Sequence, residues 1–167
     1  VSAMADYVAP LADMRFALAA TADLPALLRL PAFNHAEADV VDAVLDEAAR
    51  IAGEVIAPLN RPGDEVGSRL ENGEVRTPPG FADAYRQFCA GGWNGVPFSP
   101  DHGGGGLPWT VAMAVQEMMG SANMAFSLCP LLTQGAVEAI AAHGTPEQKT
   151  VYLPKLVSGE WSGTMNL

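Results

Sequence analysis

Two carboxylates are the residues of this chain best suited by type to act as a general base. Glu117 and Glu138 lie on neighbouring predicted helices. A carboxylate that removes a proton needs a closed site that raises its pKa, and no sequence pattern shows such a site here. The residues alone favour another interpretation of Glu117, as a carboxylate on a helix surface or in a buried ion pair. No catalytic residue is therefore predicted in the chain.

Four consecutive glycines follow His102 and suggest a phosphate-binding loop. A P-loop ends in Gly-Lys-Ser/Thr and follows a strand, and neither feature is present. In a dinucleotide-binding loop a third glycine would stand where Pro108 lies. The run 103–106 is accordingly predicted to be a flexible turn before a helix.

Histidine and cysteine side chains give no sign of a metal site or a nucleophile. His35, His102 and His143 are not spaced by three or four residues, and no cysteine or carboxylate cluster accompanies them. His35 is expected in the first turn of a helix. Cys89 and Cys129 are far apart and flanked by apolar residues, which predicts two reduced thiols buried on apolar helix faces.

Composition narrows the class of protein. The chain has 167 residues, 49% of them apolar and 17% charged, which is typical of a well-packed globular unit. Its net charge is −10 and its nine Lys and Arg residues are scattered, so no nucleic-acid partner is predicted. No apolar run approaches the length of about 20 residues that spans a bilayer, and no signal peptide is recognised. We expect a cytoplasmic protein without a membrane span.

The elements of the first half are predicted from periodicity and from Pro and Gly. Residues 1–33 are expected to form an extension with short helices near 13–20 and 24–30, packed outside the core. A helix is predicted from a capping box at Asn34 and Glu37 to Pro58, with one apolar stripe. The stripe contains Val40, Val41, Val44, Leu45, Ala48, Ile51, Ala52 and Val55. A long surface loop, 59–79, is expected to follow, with a hairpin-like turn at Asn72-Gly73.

The second half is predicted to hold four more helices. They are expected near 79–90, near 110–119, near 122–142 and from Thr145 to Gly159. The helix near 122–142 is apolar on all sides and is therefore expected to be buried. The final residues "WSGTMNL" alternate as in a half-buried strand, although no other segment is predicted as a strand. The fold class is therefore all-α, a bundle of about five main helices that ends in the first strand of a β domain absent from the chain.

Small and kink-forming residues interrupt the predicted apolar helix 122–142. Pro130, Thr133, Gln134 and Gly135 would leave room beside the helix for a ligand, although tight helix packing uses the same residue types. The pattern does not distinguish these alternatives.

Several segments in succession resemble the N-terminal region of the acyl-CoA dehydrogenase family. They are "PLNRPGDEVG", "TPPGFADAYRQFCAGGWNGVPFSPDHGGGGLP" and, as the most specific, "HGTPEQKTVYLPKLVSGEWSGTMNL". The additional segment "YVAPLADMRFAL" is similar to that of a longer subgroup. The resemblance divides the chain into the extension 1–33, a helical domain 34–160 and the start of a middle β domain, 161–167.

The resemblance implies an enzyme that binds FAD between a middle and a C-terminal domain. Such an enzyme removes the α-proton of an acyl-CoA thioester with a Glu, passes the β-hydrogen to the flavin as hydride, and delivers the electrons to an electron-transfer flavoprotein. It also implies which residues of this chain meet the ligands. They are Met165, Asn166 and Leu167 against the flavin, and Leu131, Gln134, Gly135 and Glu138 beside the acyl chain.

The segments that carry the family's catalytic Glu and most of its FAD site have no counterpart in these 167 residues. We therefore expect the chain alone neither to oxidise acyl-CoA nor to hold FAD tightly. A homo-oligomer is expected, and the tail 161–167 should be pinned by a second copy or disordered. A non-catalytic helical binding or scaffolding module and an acyl-CoA oxidase stay open as alternatives. The acyl chain length cannot be inferred, since pocket depth is a tertiary property.

Overall fold

α-Helices and one short hairpin make up the protein in the computed structural model, which describes residues 7–164. The predicted all-α class is confirmed. The elements are α1 Leu11–Ala20, α2 Leu24–Leu27, α3 Ala38–Ile51, α4 Asn60–Val66, β1 Arg69–Glu71, β2 Glu74–Arg76, α5 Phe81–Ala90, α6 Trp109–Ala122, α7 Met124–His143 and α8 Pro146–Ser158.

Helix α3 begins later than the capping pattern predicts. Glu37 is its N-cap and makes no side-chain capping bond. Asn34 instead ends a 3₁₀ turn at Pro31–Phe33, so the predicted capping box is wrong, and His35 precedes the helix rather than lying in its first turn. The apolar stripe packs inward as predicted, except that Val40 is exposed.

The chain stays helical beyond α3, against the prediction that Pro58 ends the helix. A π-helical turn, Ala52–Ile56, is followed by a 3₁₀ turn, Ala57–Leu59, and then by α4. Pro58 lies in the first turn of the 3₁₀ segment, where its missing N–H removes no helical hydrogen bond. The predicted loop 59–79 is therefore wrong over the residues of α4.

A tight hairpin follows α4, and its turn at Asn72-Gly73 is confirmed. Both turn residues have positive φ, 53° and 81°, as a two-residue hairpin turn of type I′ requires. Strands β1 and β2 pair antiparallel, with Leu70 opposite Val75. The sequence did not predict these strands, because each has only three residues.

Two groups of buried apolar side chains form the core. The larger one joins α3, α5 and α6, with Leu45 and Met118 almost fully buried. The smaller one lies between α7 and α8 around Val137 and Leu153. Full burial of one such side chain stabilises the fold by about 1.5–3 kcal/mol, so these groups hold the helices in place.

The extension packs on the chain's own helices. Met14 and Leu18 of α1 belong to the larger apolar group, which corrects the expectation that this segment lies outside the core. The Arg15 guanidinium bonds two carboxylates of α3, Asp42 at 2.7 Å and Asp46 at 2.9 Å. Beyond the end of α3, a Cβ on Gly53 would lie 3.0 Å from the Tyr7 carbonyl oxygen, so the extension crosses the π-helical turn closely.

Helix α7 is buried on one side only, which corrects the prediction of a helix buried all round. Phe126, Thr133 and Val137 face the interior. The opposite face exposes Met124, Leu128 and Leu131. Within residues 7–164, α7 alone is long and apolar enough to pass for a membrane span by length and composition, a test that core helices also pass.

The start and end of α8 agree with the sequence pattern. Thr145 Oγ1 accepts a hydrogen bond from the Gln148 N–H, and Gln148 Oε1 accepts one from the Thr145 N–H at 2.8 Å. This capping box satisfies two N–H groups that the helix leaves free. Gly159, with φ of 78°, ends the helix.

Candidate functional site

A groove with mostly apolar walls lies between α1, α6 and the first half of α7. It encloses about 960 Å³, the size of a pocket for a small ligand. Trp109, Met113 and Glu117 line it from α6, and Met124 and Leu131 line it from α7. Sequence reasoning missed Trp109 and Met113. Their spacing of four on the face opposite to Val111 and Val115 was the available signal.

The groove is lined by charged groups as well as by apolar side chains. Asp13 and Glu117 both line it, and both side chains are exposed. The Tyr7 hydroxyl lies near Glu117, and burial, followed by the charge of that carboxylate, raises its pKa. Glu117 therefore matches the interpretation of a surface carboxylate that the residues favoured.

The four predicted substrate-binding residues of α7 do not share one cavity. Leu131 lines the groove and also a gap of only about 20 Å³ below it. Gln134 is buried and lines that gap, which has room for a single water molecule. Gly135 and Glu138 are exposed farther along the helix, outside the lining of both. A Cβ on Gly135 would have no atom within 4 Å.

The segment after α8 is fixed against α7 and α8. The Gly163 N–H donates a hydrogen bond to Thr133 Oγ1. The Trp161 ring lies 5.9 Å from that of Tyr152, and Lys155 Nζ is 5.2 Å from the centre of the same indole. The same chain therefore orders residues 161–164, against the expected disorder, whereas pinning of the tail by a second copy stays a prediction. These four residues form no strand.

The predicted flavin contacts Met165, Asn166 and Leu167 lie outside the described residues. Within 7–164, the glycine-rich segment was the candidate for holding a pyrophosphate. Its N–H groups are used internally, because Gly104, Gly105 and Gly106 donate to the carbonyls of Ser99, Gly95 and Phe98. This segment therefore does not fit the pyrophosphate of a dinucleotide.

The same bonds explain why the segment needs glycine. A Cβ on Gly104 would overlap the Phe98 carbonyl, and Gly103 has φ of 86°. His35 Nε2 lies 3.4 Å from the Gly105 carbonyl oxygen, so this histidine contacts the turn. A turn before a helix is confirmed, but the predicted flexibility is not, because hydrogen bonds tie the turn to residues 95–99.

The two cysteines are free thiols, as predicted, but they are less buried than predicted. Cys129 is exposed, and Cys89 is half-buried. Cys89 lies beside Tyr85, whose hydroxyl donates to the Gly159 carbonyl at 3.2 Å. Burial raises the pKa of the Cys89 thiol, which makes it a poor nucleophile. In the described part of the chain, no three His, Cys, Asp or Glu side chains form a metal-binding group.

Comparison with known proteins gives the family. The model described as "Acyl-CoA dehydrogenase, N-terminal domain" matches residues 39–160. The chain is 46% identical over 161 residues to the 3-methylmercaptopropionyl-CoA dehydrogenase of Ruegeria pomeroyi, which covers 96% of this chain and 27% of that protein. Two proteins of Syntrophomonas wolfei, each named butyryl-CoA dehydrogenase, are 31% and 30% identical over 166 residues, covering 97% of this chain and 27% of each relative.

The chain thus spans about a quarter of the length of these curated relatives. The family match extends from the second residue of α3 to just past the end of α8. It includes the glycine-rich turn, the half-exposed helix α7 and the capping box of α8. Because the matched residues are most of the sequence, the chain belongs to the acyl-CoA dehydrogenase family, as its N-terminal domain.

Proposed function

We propose that this chain is the helical domain of an FAD-dependent enzyme that introduces a double bond between Cα and Cβ of an acyl-CoA thioester. Family membership supports the reaction class, and the names of the relatives support an acyl-CoA substrate. FAD in the whole protein would accept the hydride. The observation that carries the proposal for this chain is the exposed face of α7.

The exposed face of α7 suits an acyl chain. Leu131, Gly135 and Glu138 are separated by four and three residues, so they lie on one side of the helix. Leu131 offers an apolar contact and is 41% exposed. The open space over Gly135 lets a ligand approach the helix backbone closely. Glu138 places a carboxylate at one end of this face of α7. The face therefore offers apolar contacts to an acyl chain and a charged group beside them.

Gln134 has a different part in the proposed site. Its side chain is buried against the small gap rather than exposed on the face. From there it supports Leu131, which lines the same gap, instead of contacting the acyl chain along its length. We therefore place Leu131, Gly135 and Glu138 in contact with substrate and Gln134 behind them.

The partners follow from the same proposal. Acyl-CoA is the substrate, an electron-transfer flavoprotein is the electron acceptor, and the whole protein is a homo-oligomer. The free thiols Cys89 and Cys129 support a reducing compartment such as the cytoplasm.

The test uses a protein of the relatives' length that carries this chain. We expect it to purify with bound flavin and to oxidise acyl-CoA when an artificial electron acceptor is supplied. Oxygen consumption without an acceptor would identify an acyl-CoA oxidase instead. A protein that lacks both flavin and turnover would contradict the proposal and favour the non-catalytic module.

A pair of variants tests the position of the acyl chain. Gly135→Leu fills the open space, and we expect KM for acyl-CoA to rise about tenfold, as when a few favourable contacts are lost. Ala125→Leu adds the same side chain to an exposed position of α7, ten residues from Gly135, and serves as the control. An equal change of KM in both variants would remove the acyl chain from this face.

A further inference from the structure

The hairpin after α4 has two chemically different faces. Leu70 and Val75 pair across the strands and are exposed to 74% and 69%, so the apolar face is open to solvent. The opposite face carries only charged side chains, since side chains alternate along a strand. They are Arg69 and Glu71 on β1, and Glu74 and Arg76 on β2.

The charges of the hairpin are poorly matched within the hairpin itself. Arg69 lies opposite Arg76, and Glu71 lies opposite Glu74. Like charges directly opposite each other destabilise an antiparallel pair. On β2, Arg76 compensates by bonding Glu74 of its own strand at 2.7 Å. On β1, Arg69 and Glu71 have no ion-pair partner among residues 7–164.

Among residues 7–164, β1 pairs with β2 alone, so its outer edge is open for a further strand. In a hairpin with a two-residue turn, the residues next to the turn form a hydrogen-bonded pair. The next pair, Leu70 and Val75, therefore points its backbone N–H and C=O groups away from the hairpin. Leu70 is thus the residue of β1 whose backbone donor and acceptor can meet another strand.

We propose that this edge of β1 pairs antiparallel with β1 of a second copy of the chain, around a two-fold axis. Leu70 lies opposite Leu70 of the second copy and exchanges two backbone hydrogen bonds with it. Arg69 of each copy then lies opposite Glu71 of the other. The apolar faces of the two hairpins join into one face of a four-stranded sheet.

The order of charged residues along β1 favours a second copy of the chain as the partner strand at this edge. The sequence Arg69-Leu70-Glu71, read against itself in the antiparallel direction, gives opposite charges at both ends and an apolar pair in the centre. The same pairing at β2 would compete with the existing bond between Arg76 and Glu74. The edge of β1 is therefore the one that gains an ion pair without losing one.

Cysteine cross-linking tests the arrangement directly in the full protein that carries this chain. Cα atoms of an opposed hydrogen-bonded pair are about 5.5 Å apart, within the range of a disulfide. We expect Leu70→Cys to give a dimer joined through residue 70 under mild oxidation with a copper–phenanthroline catalyst and oxygen, as mapped by peptide mass. Val75→Cys is the matched control. In the proposed four-stranded sheet, the Cα atoms of residue 75 in the two copies would be about 15 Å apart, too far for a disulfide.

Each outcome of the cross-linking decides the proposal. A disulfide through residue 70 and none through residue 75 supports it. A disulfide through residue 75 alone would move the contact to β2 and overturn the proposed edge. No cross-link at either position would overturn pairing between copies. Contacts elsewhere in an oligomer do not affect this readout, since the bond forms only between neighbouring hairpins.

Charge reversal gives an independent test of the same pairing. Arg69→Glu and Glu71→Arg each place like charges opposite each other, and we expect each to lower the cross-linking rate of Leu70→Cys about tenfold. Mixing the two variants restores opposite charges and should restore the rate between unlike chains. Arg61→Glu, which reverses an exposed charge on α4 outside the hairpin, is the control. An equal loss with Arg61→Glu, or no recovery on mixing, would contradict the proposed register.

Discussion

Thr133 Oγ1 accepts a hydrogen bond from the N–H of Gly163 at 3.1 Å and donates one to the Cys129 carbonyl at 2.8 Å. The hydroxyl thus joins the segment after α8 to α7. Thr133 is fully buried, so neither bond competes with water. The position of residue 163 is therefore set on α7, the helix that carries the proposed acyl-binding face.

Removal of this hydroxyl should destabilise the protein. Thr133→Val keeps the shape but leaves the Gly163 N–H without its acceptor, which costs about 1–3 kcal/mol. The free energy of unfolding in urea measures the loss. The Thr150 hydroxyl donates a hydrogen bond to the Pro146 carbonyl on the exposed surface of α8, as the Thr133 hydroxyl does to the Cys129 carbonyl. Thr150→Val should therefore lower the free energy of unfolding by less than about 0.5 kcal/mol. Similar losses in both variants would show that the bond to Gly163 contributes little.

Gly163 itself should tolerate no side chain. A Cβ there would overlap the Ala136 methyl group on α7. We expect Gly163→Ala to cost about 1–3 kcal/mol, as overpacking does. Ala136→Gly in the same chain should recover part of that loss, so the two changes should be non-additive in urea unfolding. Additive losses would contradict this close approach.

Stability should fall at alkaline pH because of the cluster at Tyr85. Burial raises the pKa of its hydroxyl, and the neighbouring thiols Cys89 and Cys129 add to the effect. The folded state therefore retains a proton that the unfolded chain releases near pH 10, so the free energy of unfolding declines as the pH rises above about 10. Denaturant unfolding at several pH values should show a shallower decline for Tyr85→Phe.

The raised pKa of Cys89 acts in the same direction from about pH 9. The pH series is therefore repeated with Cys89→Ala, to separate the thiol from the phenol. Tyr152→Phe, at an exposed tyrosine of α8, is the matched control. A decline that is as steep in Tyr85→Phe as in the unchanged protein would exclude this tyrosine as its source.

The extension should be held by apolar burial rather than by its ion pairs. Leu18→Ala removes a buried side chain from the larger apolar group and should cost about 2–4 kcal/mol. Arg15→Ala removes two exposed ion pairs to α3 and should cost less than about 1 kcal/mol. Limited proteolysis of residues 11–27 provides a local readout. Faster cleavage in Arg15→Ala than in Leu18→Ala would reverse this ranking.

The sequence predicted those structural features that depend only on neighbouring residues. The start of α8 at Thr145 and the turn at Asn72-Gly73 each require only a few consecutive residues, and both were predicted correctly. The prediction at Pro58 failed because a π-helical turn realigns the helix before the proline. The sequence carries no periodic signal for such a single turn.

Exposure was the property that the sequence did not determine. Helix α7 is apolar on most sides, yet Leu128 and Leu131 are exposed while Thr133 is buried. Periodicity shows that Leu131 and Gln134 lie on adjacent sides of the helix, but it does not show which side a neighbour covers. The burial predicted for Cys129 was wrong for the same reason. The groove beside α1 was missed because it depends on where the extension packs.

Gly53 links two parts of the chain that are separated by more than forty residues. A methyl group at this position of the π-helical turn would lie 3.0 Å from the carbonyl oxygen of Tyr7, so one of the two would have to shift. A chain without the extension would be free of that restriction. Across the family, glycine at this position should therefore occur together with an extension that crosses the turn. This one position would then distinguish the longer N-terminal domains from the shorter ones in an alignment.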